Sequence, residues 1–480
     1  MSKLYVFGIG GTGSRVLKSL TMLLAAGIRS NVDTIVPIII DPDDTAADLT
    51  RTVETMKKYT SIRNQLDFTS SNKNQFFRTE ILESVQDFRF PLYNTRNLEF
   101  KDYMEVNKLS NSNNKALINM LFSQDNLNSD MKVGFRGNPN VGSVVLNQFS
   151  GSSQFKDFAN SFQQGDRIFI ISSIFGGTGA SGFPLLLKTF RNGAALTRMN
   201  IPNWKLIVDA PIGAISVLPY FKVKQDNNSK IDSATFISKT KSALSYYERN
   251  ISDNNSLDMF YYIADDVNNN PYDNNDGGAN QKNDAHFVEL VSALAIVDFI
   301  SVSPNQNPNQ NLQRLTIHKE YGMKNNNGRV ILGDLGQKTQ EIINRPLTQF
   351  LLFTKYLDKE CEKEYSHQPW SVDRKFDKAF FGSLFYKEIK AIQEDFIIWL
   401  KEMDKNNRHF TPFEISKKKK VFEIVEGKES EKMACLSSNY ALFDNVLNKQ
   451  NCSKSSSKEQ QFMELFYKAT ENLVNNKFNF

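Results

Sequence analysis

The chain has 480 residues, 40% of them hydrophobic and 12% aromatic, which is enough apolar material for a buried core and for two or three domains. Fifty-eight Lys and Arg stand against 53 Asp and Glu, and a net charge of +5 spread over that length does not indicate a nucleic-acid partner. The longest apolar run, near residues 20–28, falls short of the roughly 20 residues that a bilayer span needs, so no membrane span is expected.

Residues 3–7 form a short β-rich run that enters a glycine turn without the cleavage site of a signal peptide, and a cytoplasmic location is the expectation. Residues 14–28 carry Val16, Leu17, Leu20, Leu23 and Leu24 at helical spacing. Between the two, FGIGGTGSR spells G-x-G-x-x-G with Gly8, Gly10 and Gly13, in the strand, turn, helix order of a dinucleotide-binding turn. Residues 34–40 (TIVPIII) read as a buried strand that stops at Asp41, Pro42, Asp43 and Asp44, placing carboxylates at a strand's C-terminal end, where open α/β sheets bind ligands. A polar, mixed stretch follows from about 50 to 130, with a helix near 114–122, and then the glycine-spaced loop GFRGNPNVG at 134–142. Residues 167–174 (RIFIISSI) predict a strand leading into FGGTGASG and a helix at 183–190, and residues 204–208 (WKLIV) a further strand ending at Asp209. The repeated strand, glycine turn and helix argue for a parallel α/β sheet through about residue 220.

Beyond it the spacing predicts a helix at 231–247, a strand at 259–263, a helix at 285–299 and β-like runs at 314–318 and 329–332. The Asn- and Asp-rich residues 268–283 and the spacer at 304–311 read as surface loops. After about 345 the pattern is mostly helical, chiefly at 347–364 and 376–403. The division this gives is a nucleotide-binding domain at 1–300, a β-containing connector at 301–345 and a mostly helical domain at 346–480. Cys361, Cys435 and Cys452 lack the close pairing of a zinc or redox motif and read as reduced thiols. The KKKK run at 417–420 reads as a solvated loop.

The first loop alone points to NAD, with Asp41 as the ribose carboxylate, although it lies 28 positions past Gly13 where about 20 is usual. The second motif, Gly176-Gly177-Thr178-Gly179, also follows a strand and opens a helix, so two backbone nests can converge on one anion. A single pyrophosphate does not need two such nests, whereas a triphosphate does. The loop at 134–142 supplies a third set of N–H groups around Asn138. No Gly-Lys-Ser or Gly-Lys-Thr ending is present, which excludes a Walker P-loop.

These motifs carry a family resemblance. FGGTGASG resembles the GGGTGSG signature of tubulin and FtsZ, GFRGNPNVG resembles the GxGxNPxxG loop of FtsZ, and the first loop and Asp41 match in order and spacing. The chain looks closest to bacterial tubulin-like proteins beginning LYVFGIGGTGSRVL, over roughly its first 300 residues. The resemblance implies a tubulin/FtsZ-like, Rossmann-type parallel sheet with flanking helices, binding GTP or GDP with Mg²⁺. It puts Gly10, Gly11, Thr12 and Gly13 on the α/β-phosphates, Gly176, Gly177, Thr178 and Gly179 in the phosphate signature, Gly137 and Asn138 near the γ-phosphate, and Asp41 and Asp43 near the metal. A helix through the domain's middle reads the base in this family, and the helix from Ile231, with Phe236 and Thr240, is taken as its counterpart. Hydrolysis in the family uses an acid from the next subunit, for which the matching residues are His286 and Glu289. Asn283 and Asp284 are equally the expected N-cap of the following helix. The reading is thus a GTPase that self-associates head to tail. The alternatives are a non-polymerising nucleotide switch whose C-terminal domain binds a protein partner, and a NAD oxidoreductase.

Overall fold

The computed structural model describes the chain apart from residues 1, 69–72, 96–97, 132–133, 136, 224–232, 253, 268–270, 273–277, 303–314, 322–327, 361–366, 417–420, 428–438, 452–456 and 479, and apart from the side chains of residues 223, 233–236, 271–272, 359–360 and 439. The three cysteines, the 417–420 lysines and the 304–311 spacer therefore lie outside the described residues, as does the side chain of Phe236.

Strand β1 (Lys3–Ile9) runs into helix α1 (Gly10–Ala25), and β2 (Thr34–Ile40) is followed by α2 (Ala47–Arg63) and the short β3 (Glu80–Ile81). Helices α3 (Ser112–Leu121) and α4 (Pro139–Leu146) precede β4 (Arg167–Ser173), which leads into α5 (Gly177–Arg191). Next come α6 (Trp204–Asp209), β5 (Ile212–Val217), α7 (Ser233–Tyr247), β6 (Met259–Ile263), α8 (Phe287–Ser301) and β7 (Ile317–Tyr321). The C-terminal part is mostly helical, built on α9 (Gln337–Glu360), α10 (Leu384–Lys405), α11 (Asn439–Asn448) and α12 (Lys458–Lys477).

Seven strands form one sheet in the order β3-β2-β1-β4-β5-β6-β7, and every neighbouring pair is parallel. Strands β2, β4 and β5 are buried along their whole length, which is why TIVPIII and RIFIISS are continuous apolar runs rather than alternating ones. Helices cover both faces. On one side Phe7 packs against Phe149, Phe158 and Phe190. On the other, α8 is buried over almost its whole surface. The chain lays down β1, β2 and β3 in one direction and then returns to place β4 on the other side of β1, so the order reverses between β1 and β4. Open α/β sheets bind ligands beyond the strand ends at such a switch point.

WKLIV is not a strand. Residues 204–209 form helix α6, with Ile207 buried and Lys205 and Leu206 exposed, and the strand expected there is Ile212–Val217. Trp204, Ile207 and Val208 sit at i, i+3 and i+4, a helical spacing that a five-residue apolar run conceals. Gly213 then lets the real strand pass under Phe169 and Phe299, since a Cβ there would lie 2.7–2.8 Å from their rings. Asp209 accordingly precedes a strand instead of closing one.

The helical C-terminal part is docked closely on the sheet domain. Trp399 of α10 donates its indole N–H to Ser19 of α1 at 3.1 Å, and Glu402 accepts from Arg51 of α2 at 2.7 Å. Position 345 lies inside α9.

Candidate functional site

The glycines of FGIGGTGSR divide their work. Gly8 and Gly13 allow strand and helix to touch, because a Cβ on Gly13 would stand 2.3 Å from the Gly8 carbonyl carbon. Gly10 has a φ of +69°, the left-handed region that turns the chain from β1 into α1. Gly11 has nothing within 4 Å of its Cβ position, so the backbone there faces open space.

The second loop lies directly opposite. A Cβ on Gly10 would be 3.4 Å from Thr178 Cβ and 3.8 Å from the Gly179 amide nitrogen. The third loop closes on the second, with a Cβ on Gly177 falling 3.0 Å from the Gly137 amide nitrogen and 3.2 Å from that of Asn138. Gly134 completes the ring, its Cβ position being 4.0 Å from both Thr178 Oγ1 and Pro42 Cγ. Four stretches far apart in sequence thus meet at the switch point: Gly10 to Gly13, Pro42, Gly134 to Asn138 and Gly176 to Gly179.

Three helices begin here. At α1, α4 and α5 no side chain caps the N-terminus and no acidic residue occupies the first turn. Asn138 stands at the N-cap of α4 without capping it, and Pro139 follows. Elsewhere Asn111, Ser383 and Ser457 cap their helices in the ordinary way. Among the described residues, the converging helix ends therefore carry their positive partial charge with no side-chain cap or first-turn acid to offset it, which is the electrostatics of an anion site.

Asp41 is half-buried at the end of β2 and accepts the Asp43 amide at 3.1 Å. Burial pushes its carboxyl up to about 7, helped by the Asp43 charge and opposed by the Asp43 amide and Arg89. Asp43 is committed to the backbone: its two oxygens accept the Thr45 amide and hydroxyl and the Gly278 amide. Of the two carboxylates expected near a metal, Asp43 thus has both oxygens occupied within the protein. No cluster of three or more His, Cys, Asp or Glu able to hold a metal occurs among the described residues.

Sequence reasoning did not single out Arg89. Its strand-like bridge to Ile39 brings it to the same edge, where one guanidinium nitrogen donates to the Asp44 carbonyl at 2.9 Å and the buried Nε has no hydrogen-bond partner.

Glu289 and His286 are not placed to serve a neighbouring subunit. Glu289 is 2% exposed and accepts from Arg15 Nε at 2.5 Å, while its other oxygen takes the His286 amide. His286 is fully buried, and its Nδ1 accepts the Val288 amide, so this residue caps α8. Burial, with Arg15 and Arg408 nearby, drives its pKa down to about 3 and keeps the ring neutral. Burial also raises the Glu289 pKa, and Arg15 pulls it back. The N-cap expected from Asn283 or Asp284 is supplied by His286, and Asn283 instead donates to Asp48.

The helix expected to read a base, α7, does not run through the middle of the domain. The helix that runs through the middle is α8, packed between α1 and strands β5 and β6, whereas α7 lies at the surface with Ile237 and Tyr246 exposed. On α7, Thr240 is buried, and Lys239 reaches the third loop, donating to the Gly137 carbonyl at 2.6 Å.

No family model and no curated protein sequence matches the chain. Among solved structures it is similar to CetZ from Methanosaeta thermophila, with 14% identity, 64% of this chain and 56% of that chain covered, and a TM-score of 0.30. It is similar to CetZ2 from Haloferax volcanii, a GTPγS-bound protofilament, with 13% identity, 66% and 64% covered, and a TM-score of 0.30. It is similar to an FtsZ dimer of M. jannaschii with 14% identity, 55% and 45% covered, and a TM-score of 0.27. The chain thus spans less than two thirds of the length of each of these neighbours. No helix among the described residues is long and apolar enough to cross a membrane.

Proposed function

We propose that the protein binds a nucleoside triphosphate, GTP by the likeness of its motifs, in the cradle between the ends of β1 and β4, and that it works as a nucleotide-dependent switch that self-associates. The observation that carries this reading is the meeting of three uncapped, acid-free helix N-termini across contacting glycine loops. A dinucleotide pyrophosphate would use one such terminus, and three match the larger charge of a triphosphate. Gly11 leaves room for the α- and β-phosphates, while Gly137 offers its amide to the terminal one; the Asn138 amide is held by the Phe135 carbonyl at 2.8 Å, which fixes the loop. Mg²⁺ held by Asp41 and the phosphates would neutralise charge that the helix ends do not reach, and Arg89 is a second cation at that edge.

Hydrolysis is not assigned to Glu289 or His286, whose burial keeps them inside their own chain. Head-to-tail self-association follows from the motif resemblance and is tested by sedimentation at high protein concentration. Large species with GTP that dissolve with GDP support it. A monomer under both conditions leaves the non-polymerising switch. The nucleotide released when the purified protein is denatured tests the ligand itself: GTP or GDP agrees with the proposal, and NAD overturns it.

A further inference from the structure

Beside the second and third loops, helices α4, α5 and α7 line an open pocket of about 700 Å³, well within the range of small-molecule pockets. Gly176 and Pro139 line it, and Gly10 to Gly13 do not. Much of its lining is apolar, including Phe175, Pro184 and Leu185. One polar group in it lacks the partners that its position calls for. Lys239 is half-buried, and among the described residues its ammonium has the Gly137 carbonyl as its polar partner and no carboxylate within ion-pair distance. An ammonium carries three donors, so two remain. Desolvation lowers the Lys239 pKa, and no neighbouring charge opposes it. Tyr247, about 1% exposed, also lines the cavity, but its hydroxyl is closed off from it and stays without a hydrogen-bond partner among the described residues. A partly desolvated cation is costly to leave unpaired, and a ligand bringing an acceptor would satisfy it.

We propose that this cavity is a second ligand site, for a small amphipathic anion with a hydrophobic body and a single carboxylate or sulfonate, held by Lys239. The body would lie on Phe175, Pro184 and Leu185, with the acidic group at the unused donors of Lys239. The same ammonium holds the Gly137 carbonyl, so occupancy is coupled to the third loop. That coupling rests on the nucleotide reading, whereas the site does not.

The test is a fluorescence titration of the full-length protein, free of nucleotide, with anilinonaphthalene sulfonate. One saturable site per chain is expected. Lys239→Met should weaken it at least about tenfold, Lys239→Arg, which keeps the charge, should retain it, and Ala243→Trp, which fills the cavity from α7, should abolish it. Should Ala243→Trp fail to fold, the two Lys239 variants decide. Binding that is unsaturable, or unchanged in Lys239→Met, overturns the proposal. Gly11→Val should leave the titration unaltered, so loss of the nucleotide site and loss of this one are read separately.

Discussion

Arg15 anchors a buried set of charges that the chain assembles from distant segments. Its guanidinium donates to Glu289, to Asp48 at 3.4 Å and to the Tyr220 hydroxyl at 2.6 Å. Removing Glu289 leaves the buried Arg15 with the longer Asp48 contact as its one remaining carboxylate among the described residues. Glu289→Ala is therefore expected to lower stability by about 3–5 kcal/mol, measured by urea unfolding; wild-type stability with a purely catalytic defect would restore Glu289 to an active role. His286 makes a second prediction. Its pKa is about 3 in the folded protein against 6.5 in the unfolded chain, so the unfolded state binds the extra proton between those values. Stability from this residue is fully present above pH 6.5 and falls as the pH drops toward 3, by about 1.4 kcal/mol per unit. His286→Asn, which keeps a capping acceptor without titrating, should flatten that slope between pH 7 and 5.

Helix ends, more than helix interiors, set the character of the cradle. The helices α1, α4 and α5 leave their N-termini open, and Gly177 lets α5 approach the third loop. Gly177→Val should push Gly137 and Asn138 aside and weaken nucleotide binding by about tenfold or more, read by calorimetry, while α5 itself persists. The contact of α10 with the sheet domain is a different matter. Glu402 receives Arg51 and the Ala285 amide, with Lys18 at 3.8 Å, so Glu402→Ala should strip Lys18 of its carboxylate partner among the described residues and leave Arg51 with Asp48 alone. Faster amide hydrogen exchange across residues 384–405, with a stability loss of about 3 kcal/mol, is the expected result. Long elements with clear periods, such as β2, β4 and α10, were legible in the sequence. The short α6 was not, because five apolar residues fit a buried strand as well as one helical face.

Sheet order explains why the glycine loops were readable and the buried charges were not. Each loop follows a strand and opens a helix, a local pattern that a sequence displays, and parallel connection brings the ends of β1 and β4 together. Arg15 and Glu289 are 274 positions apart, and Arg89 reaches the cradle through a bridge to Ile39, so neither role leaves a mark in local spacing. Glu289 matched the second acid of a motif whose first acidic position is held here by His286, yet both are turned inward at the start of α8. Lys239 carried no signal at all. The central claim is that the open ground above Gly11 is where a triphosphate lies. Calorimetric titration of GTP with Mg²⁺ into the wild-type protein and into Gly11→Val tests it most directly, since a Cβ there meets no atom within 4 Å beyond its own helix turn and should spare the fold. Saturable binding that falls at least about 100-fold in the variant, about 2.7 kcal/mol, is the predicted result. Equal binding in the two proteins, or binding of NAD in place of GTP, would contradict it.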